Sequence, residues 1–169
     1  AARLAEEQGP ELIVVGPKQC SGWLERNTMG VLRGAVMAEL AAADRHGRLR
    51  LLHAVASKRD GVSTFIHSKV MVVDDDFLRI GSANLAGRSM GMDSECDLAI
   101  VAAGDTAARE GIAGVRNRLL AEHLGASAED VQRACEREGT LRGAIAALAH
   151  GDRALVAVEP EPSSPAAAA

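Results

Sequence analysis

The chain has 169 residues, 47% of them hydrophobic, with a formal net charge of −4 and 2% aromatic residues, none of them Tyr. That length holds one domain with a core, and the hydrophobic fraction excludes a disordered chain. An acidic balance with few rings argues against nucleic acid as the ligand, no apolar run nears the ~20 residues of a membrane span, and no signal peptide opens the chain.

Ala1–Gln8 sets Leu4 and Ala5 against Arg3, Glu6 and Glu7, the pattern of an amphipathic helix, which Gly9-Pro10 stops. The chain starts inside this helix and without Met, which suggests a segment of something longer. Glu11–Val15 follows as a buried strand closed by Gly16-Pro17. Lys18–Asn27 is polar and irregular, with the single Trp, Trp23, as an anchor packing the loop. Thr28 is the expected N-cap of a helix reaching about Arg45, on which Val31, Leu32, Ala35, Val36, Leu40 and Ala43 recur at helical spacing before Gly47. Leu49–Ala54 is a strand whose His53 reads as structural. Ser57–Gly61 is an exposed turn, with Lys58 and Arg59 as solvated charges or, alternatively, a phosphate-attracting pair at a cleft edge.

The densest chemistry lies in Phe65–Ile100. Val70–Val73 is apolar and β-branched, so His67–Val73 is expected to be a strand buried on both faces. Side chains two apart in a strand share a face, which sets His67 beside Lys69. An imidazole next to a fixed cation suits phosphoryl chemistry: the ring can attack phosphorus or protonate a leaving oxygen while the ammonium holds the other oxygens. Asp74-Asp75-Asp76 form a hairpin turn into a second strand, Phe77–Ile80, which returns Gly81-Ser82-Ala83-Asn84 toward His67. There Gly81 permits close backbone approach, and the Ser82 hydroxyl and Asn84 amide can donate to phosphate oxygens. Asp75 and Asp76 read as turn acids, since a Mg²⁺ site would need further oxygen ligands.

Glu95–Val101 alternates as a strand. Three helices follow: Asp105–Leu124, with Ala107, Ala108, Ile112, Val115, Leu119 and Leu120 inward, then Ser127–Glu138 and Thr140–His150, N-capped by Ser127 and Thr140. Cys20, Cys96 and Cys135 are too widely spaced for a metal set and odd in number, so each is expected to be a plain thiol. The element order gives an α/β fold, a mixed β-sheet flanked by helices, over residues 1–157, with 158–169 as a Pro/Ser/Ala-rich tail or linker.

His67-x-Lys69-x4-Asp74, followed after six residues by Gly81-Ser82-x-Asn84, then Arg88-Ser89-Met90 and Asp93-x-Glu95, resembles the HKD signature of the phospholipase D superfamily. The blocks Ser21–Glu25, Thr28–Gly30 and Ala43–Gly47 are similar to the C-terminal half of bacterial two-motif members, including cardiolipin synthase-like proteins. In that family two halves pack about a pseudo-twofold axis, each giving one His-Lys pair to a single site. The resemblance implies a metal-independent, cofactor-free exchange at a phosphodiester through a phosphohistidine. His67 would be the acid/base member, and Lys69 and Asn84, helped by Ser82, would hold phosphate oxygens. Asp74 would bond backbone or fix the hairpin, and Glu95 would orient His67 and raise its pKa. Trp23 would lie near the rim of the site, with a claim to lipid contact.

Three functions follow from these readings. The first is a phospholipid phosphodiesterase or phosphatidyltransferase half, with a missing N-terminal HKD half or a homodimeric copy as partner, peripheral membrane contact, and a cytoplasmic or membrane-peripheral location. The second is a non-catalytic remnant or interaction module, and the third a small homodimeric nuclease.

Overall fold

The computed structural model describes residues 1–18, 31–84 and 86–158. Cys20, Trp23, Thr28 and the tail from residue 159 onward lie outside the described residues. The elements form two sheets joined by a helical layer, the mixed α/β architecture expected.

Helix α1 (Ala2–Ala5) is one turn long rather than reaching Gln8, because the chain extends at Glu6. Its end is held by Arg48, whose guanidinium donates to the carbonyls of Leu4 (3.1 Å), Glu6 and Glu7 (2.7 Å). Strand β1 (Leu12–Gly16) runs parallel to β2 (Leu49–Ser57), with α2 (Val31–Ala43) between them in sequence. Val55 of β2 pairs with Ser63 of β3 (Val62–Ser63) and also with Ala154 of β7 (Ala154–Ala157), while Leu52 pairs with both Val15 and Ala157. Strands β1 and β3 therefore share one edge of β2, end to end, and β7 takes the other. The β7 strand is too short to announce itself in the sequence, and β2 supplies its hydrogen-bond partner.

The second sheet is the antiparallel series β4 (Lys69–Val73), β5 (Phe77–Gly81) and β6 (Asp97–Val101). Helix α3 (Gly87–Gly91) lies between β5 and β6 in sequence. The long helix α4 (Thr106–Leu124) serves both sheets. Its Ile112, with Ala108 and Val115, packs on Leu78, Val70 and Val72, while its Leu120, Ala121 and Leu124 join Leu52, Ala54 and Leu155. That second cluster is completed by Val131 of α5 (Ala128–Glu138) and Ile145 of α6 (Leu141–Leu148). The helix ends follow local chemistry. Asp105 accepts from the Ala107 and Ala108 amides, Ser127 and Asp130 form a reciprocal capping box, and Thr140 accepts from Gly143.

One expectation is corrected. The strand expected over His67–Val73 begins at Lys69 and is not buried on both faces: Met71 and Val73 are each 45% exposed. Only the face carrying Val70 and Val72 meets α4. By register Leu78, Ile80, Leu98 and Ile100 share that face. Leu78 is buried, but Ile80, Leu98 and Ile100 are exposed, because α4 covers Val70, Val72 and Leu78 and leaves the rest of the face open.

Candidate active site

The β4–β5 hairpin has two ends with different jobs. At the turn, Asp74 and Asp75 take φ of 50° and 55°, the left-handed region that short polar residues tolerate, and Asp76 N–H closes the turn on the Val73 carbonyl at 3.0 Å. Arg109 donates to Asp76 from Nε (3.2 Å) and Nη2 (3.0 Å), and Arg116 pairs with Asp75. Both acids thus tie the turn to α4. Asp74 is exposed, with its side chain unpartnered among the described residues. It sits five residues from Lys69, about 17 Å along an extended strand. The structure therefore does not bring Asp74 to His67.

At the other end Lys69 lies opposite Gly81 in register, so the hairpin returns the Gly81–Asn84 loop beside the start of β4. Lys69 Nζ stands 2.9 Å from His67 Nε2 and donates to the His67 carbonyl at 2.7 Å. An ammonium has only protons to give, so this contact places the imidazole lone pair on Nε2 and its proton on Nδ1. The Phe65 ring stacks on His67, centroids 6.2 Å apart and planes at 15°, extending the two-residue periodicity one step upstream of β4. His67 and Phe65 are exposed. Asn84, also exposed, has no side-chain hydrogen bond among the described residues.

Glu95 is placed differently from the expectation. It accepts the Ser82 hydroxyl at 2.5 Å, and the same hydroxyl oxygen accepts the Cys96 amide at 2.9 Å. The Ser82 proton is therefore spent on a carboxylate within the loop, and no contact joins Glu95 to His67 among the described residues. Asp97, not singled out from the sequence, organises the same loop: it accepts from Arg79 at 2.7 Å and from the Ala83 amide at 3.3 Å. Gly81 is required by that arrangement, since a Cβ there would lie 1.6 Å from Asp97 Oδ1 and 2.7 Å from its Cα. The close approach at Gly81 is thus made by a neighbouring strand. The signal was available: Asp97 lies two residues past Glu95 on an alternating strand, hence on the same side.

The hydrogen bond from Arg79 holds the Asp97 carboxyl below its ordinary range against the cost of desolvation, aided by the Ala83 amide. A carboxyl depressed in the folded state contributes stability that is present above its unfolded pKa, about 3.9, and is lost as pH falls through the folded value. Asp97→Asn is therefore expected to lower the thermal midpoint at neutral pH, with the gap from the parent narrowing below pH about 4. Paired melting curves across this range check it. A gap constant with pH would show that the ion pair is not the cause.

Among the described residues the remaining candidates make no contact with His67. His53 is buried on β2, and burial, then the charge of Lys18, pushes its pKa down, so it is a neutral structural ring. His123 is likewise lowered by burial. Lys58 donates to the Ala149 carbonyl at 2.9 Å and the Arg59 amide to Asp152 at 3.0 Å, so the Ser57–Gly61 turn is fastened to the segment before β7. Arg88 pairs with Asp93 at 2.9 Å. Among the described residues no three His, Cys, Asp or Glu side chains gather as metal ligands, and no helix is long and apolar enough to cross a membrane. Cys96 and Cys135 are free thiols, the latter raised in pKa by burial.

Together these elements define an α/β domain that presents a His-Lys pair and a donor-bearing loop at one end of a sheet. A family model described as Phospholipase D matches residues 35–142, more than half of the chain, and the chain belongs to the phospholipase D family. It is 39% identical over 80 residues to phospholipase D alpha 1 of Cynara cardunculus, which covers 44% of this chain and 10% of that protein. With phospholipase D alpha 2 of Oryza sativa subsp. japonica it is 39% identical over 80 residues (43% and 10%), and with phospholipase D gamma 3 of Arabidopsis thaliana 33% over 114 residues (63% and 13%). The chain spans about a tenth of the length of these relatives. No solved structure matches it.

Proposed function

We propose that this chain supplies one half of a phosphodiesterase or phosphatidyltransferase site acting on phospholipids, with His67 as acid/base and Lys69 and Asn84 as phosphate-oxygen donors. The observation that carries the reading is the meeting of Lys69 Nζ and His67 Nε2 at 2.9 Å, at an exposed sheet end where register sets the Gly81–Asn84 loop alongside. Membership of the phospholipase D family and likeness to proteins named phospholipase D support the choice of substrate.

In the proposed reaction His67 takes up a proton from solvent at Nε2, once Lys69 has turned to the arriving phosphate, and gives that proton to the leaving alkoxide. The phosphorus–oxygen bond breaks while a histidine of a second half forms a phosphorus–nitrogen bond from the opposite side. His67 then takes a proton from water or an acceptor alcohol, whose oxygen attacks phosphorus as the phosphorus–nitrogen bond breaks. Lys69 now satisfies the ring lone pair and the His67 carbonyl. An arriving phosphate oxygen offers that ammonium a charged acceptor, freeing Nε2 for proton transfer. Crystals soaked in vanadate test the assignment: the anion is expected within hydrogen-bond reach of His67, Lys69 and the Asn84 amide. An anion bound elsewhere, with those three side chains unchanged, would defeat it.

A further inference from the structure

A second feature adjoins His67. Because β1 and β3 share one edge of β2 end to end, a notch opens between the exit of β1 and the entry of the segment leading to β4. It forms a cleft of about 280 Å³ lined by Pro17, Lys18, Gly61, Ser63, Thr64 and Phe65. Phe65 is shared, since it lines this cleft and its ring stacks on the His67 imidazole. The two ring centroids are 6.2 Å apart, so a phosphodiester held at His67 would lie one side chain away from the cleft.

The lining is rich in unused donors. Among the described residues the Lys18 ammonium has no ion-pair partner, and the Ser63 and Thr64 side chains make no hydrogen bond. Among the described residues no carboxylate lines the cleft. The nearest acid in sequence, Asp60, already accepts the Ser57 hydroxyl at 2.9 Å. The charge of Lys18 is felt by His53, whose ring burial keeps neutral. A cation with hydroxyl-bearing and aromatic residues beside it favours an acceptor-bearing group and repels a quaternary ammonium.

We infer that this cleft is a subsite for the head-group alcohol of the phosphodiester and that it selects a head group carrying its own anionic oxygen, which Lys18 would pair. The inference rests on the phosphodiester reading of His67 and Lys69. It goes beyond that reading in naming the head-group class and the residue that chooses it.

Glycerophosphoserine and glycerophosphoethanolamine differ by one carboxylate and are the probes. Each is titrated into the 169-residue chain while the His67 side-chain resonances, assigned by comparison with His67→Gln, are followed. The serine diester is expected to bind about fivefold more tightly, the scale of one exposed ion pair. That preference should vanish in Lys18→Gln and persist in Lys18→Arg, with melting curves confirming that both variants fold. Equal binding of the two diesters, or a preference that survives Lys18→Gln, would overturn the subsite while leaving the phosphodiester reading intact. If neither diester moves the His67 resonances, the phosphodiester reading falls and the subsite with it.

Discussion

Gly81→Ala is expected to destabilise the domain by about 3 kcal/mol or more, the upper range for overpacking, and to lower its thermal midpoint by on the order of 10 °C. The new Cβ would lie 1.6 Å from Asp97 Oδ1, 2.4 Å from Asp97 Cγ and 2.7 Å from Asp97 Cα. A flexible side chain can swing away; a backbone atom in a paired strand can move only if β6 leaves β5. Asp97→Ala should therefore fail to rescue Gly81→Ala, although it removes the two closest atoms. The displacement would also reach the site, because Gly81 lies opposite Lys69 and the Ser82–Cys96 contacts begin one residue further on. Urea unfolding of the single and double variants measures this. A single variant within about 0.5 kcal/mol of the parent, the range of a neutral surface change, would show that the strands part easily.

What was legible in the sequence is what depends on neighbours along the chain. The two-residue period set His67 beside Lys69, and consecutive Asp residues marked the hairpin because they tolerate the left-handed backbone seen at Asp74 and Asp75. Ser127 and Thr140 cap the helices that they were expected to start. What was hidden depends on partners brought from elsewhere. Glu95 was expected on His67 but bonds Ser82, a choice set by how the loop after β5 meets the segment entering β6. Val70–Val73 looked buried throughout because all four are apolar, yet burial followed the placement of one helix over one face. Lys58 looked solvated, and its acceptor lies 91 residues away. The acids after Asp74 were expected only to shape the turn, but Asp75 and Asp76 also hold Arg116 and Arg109. Arg116 in turn donates to the buried Asn117, which bonds Gln132, so a polar chain runs from the hairpin tip into α5.

The isolated chain is expected to show no turnover of phosphatidylcholine or bis-p-nitrophenyl phosphate. The proposed exchange needs a nucleophile and an acid on opposite sides of phosphorus, and the sequence carries one His-x-Lys pair: His46, His53, His123 and His150 each lack a Lys two positions on. Under that proposal a second half would be required, and the second sheet has an open face, with Ile80, Leu98 and Ile100 at 46%, 75% and 51% exposure where α4 leaves off. Full burial of such side chains is worth about 1.5–3 kcal/mol each, so a chain that leaves them in water should associate. Light scattering and the two assays on one sample separate the cases. Association without turnover, with activity appearing when a second half is supplied and falling about 10²- to 10⁴-fold on His67→Ala, the usual worth of a general acid/base, is the expected result. A clean dimer of this chain that turns over substrate and loses activity on His67→Ala would instead place both histidines on copies of His67, completing the site by twofold symmetry.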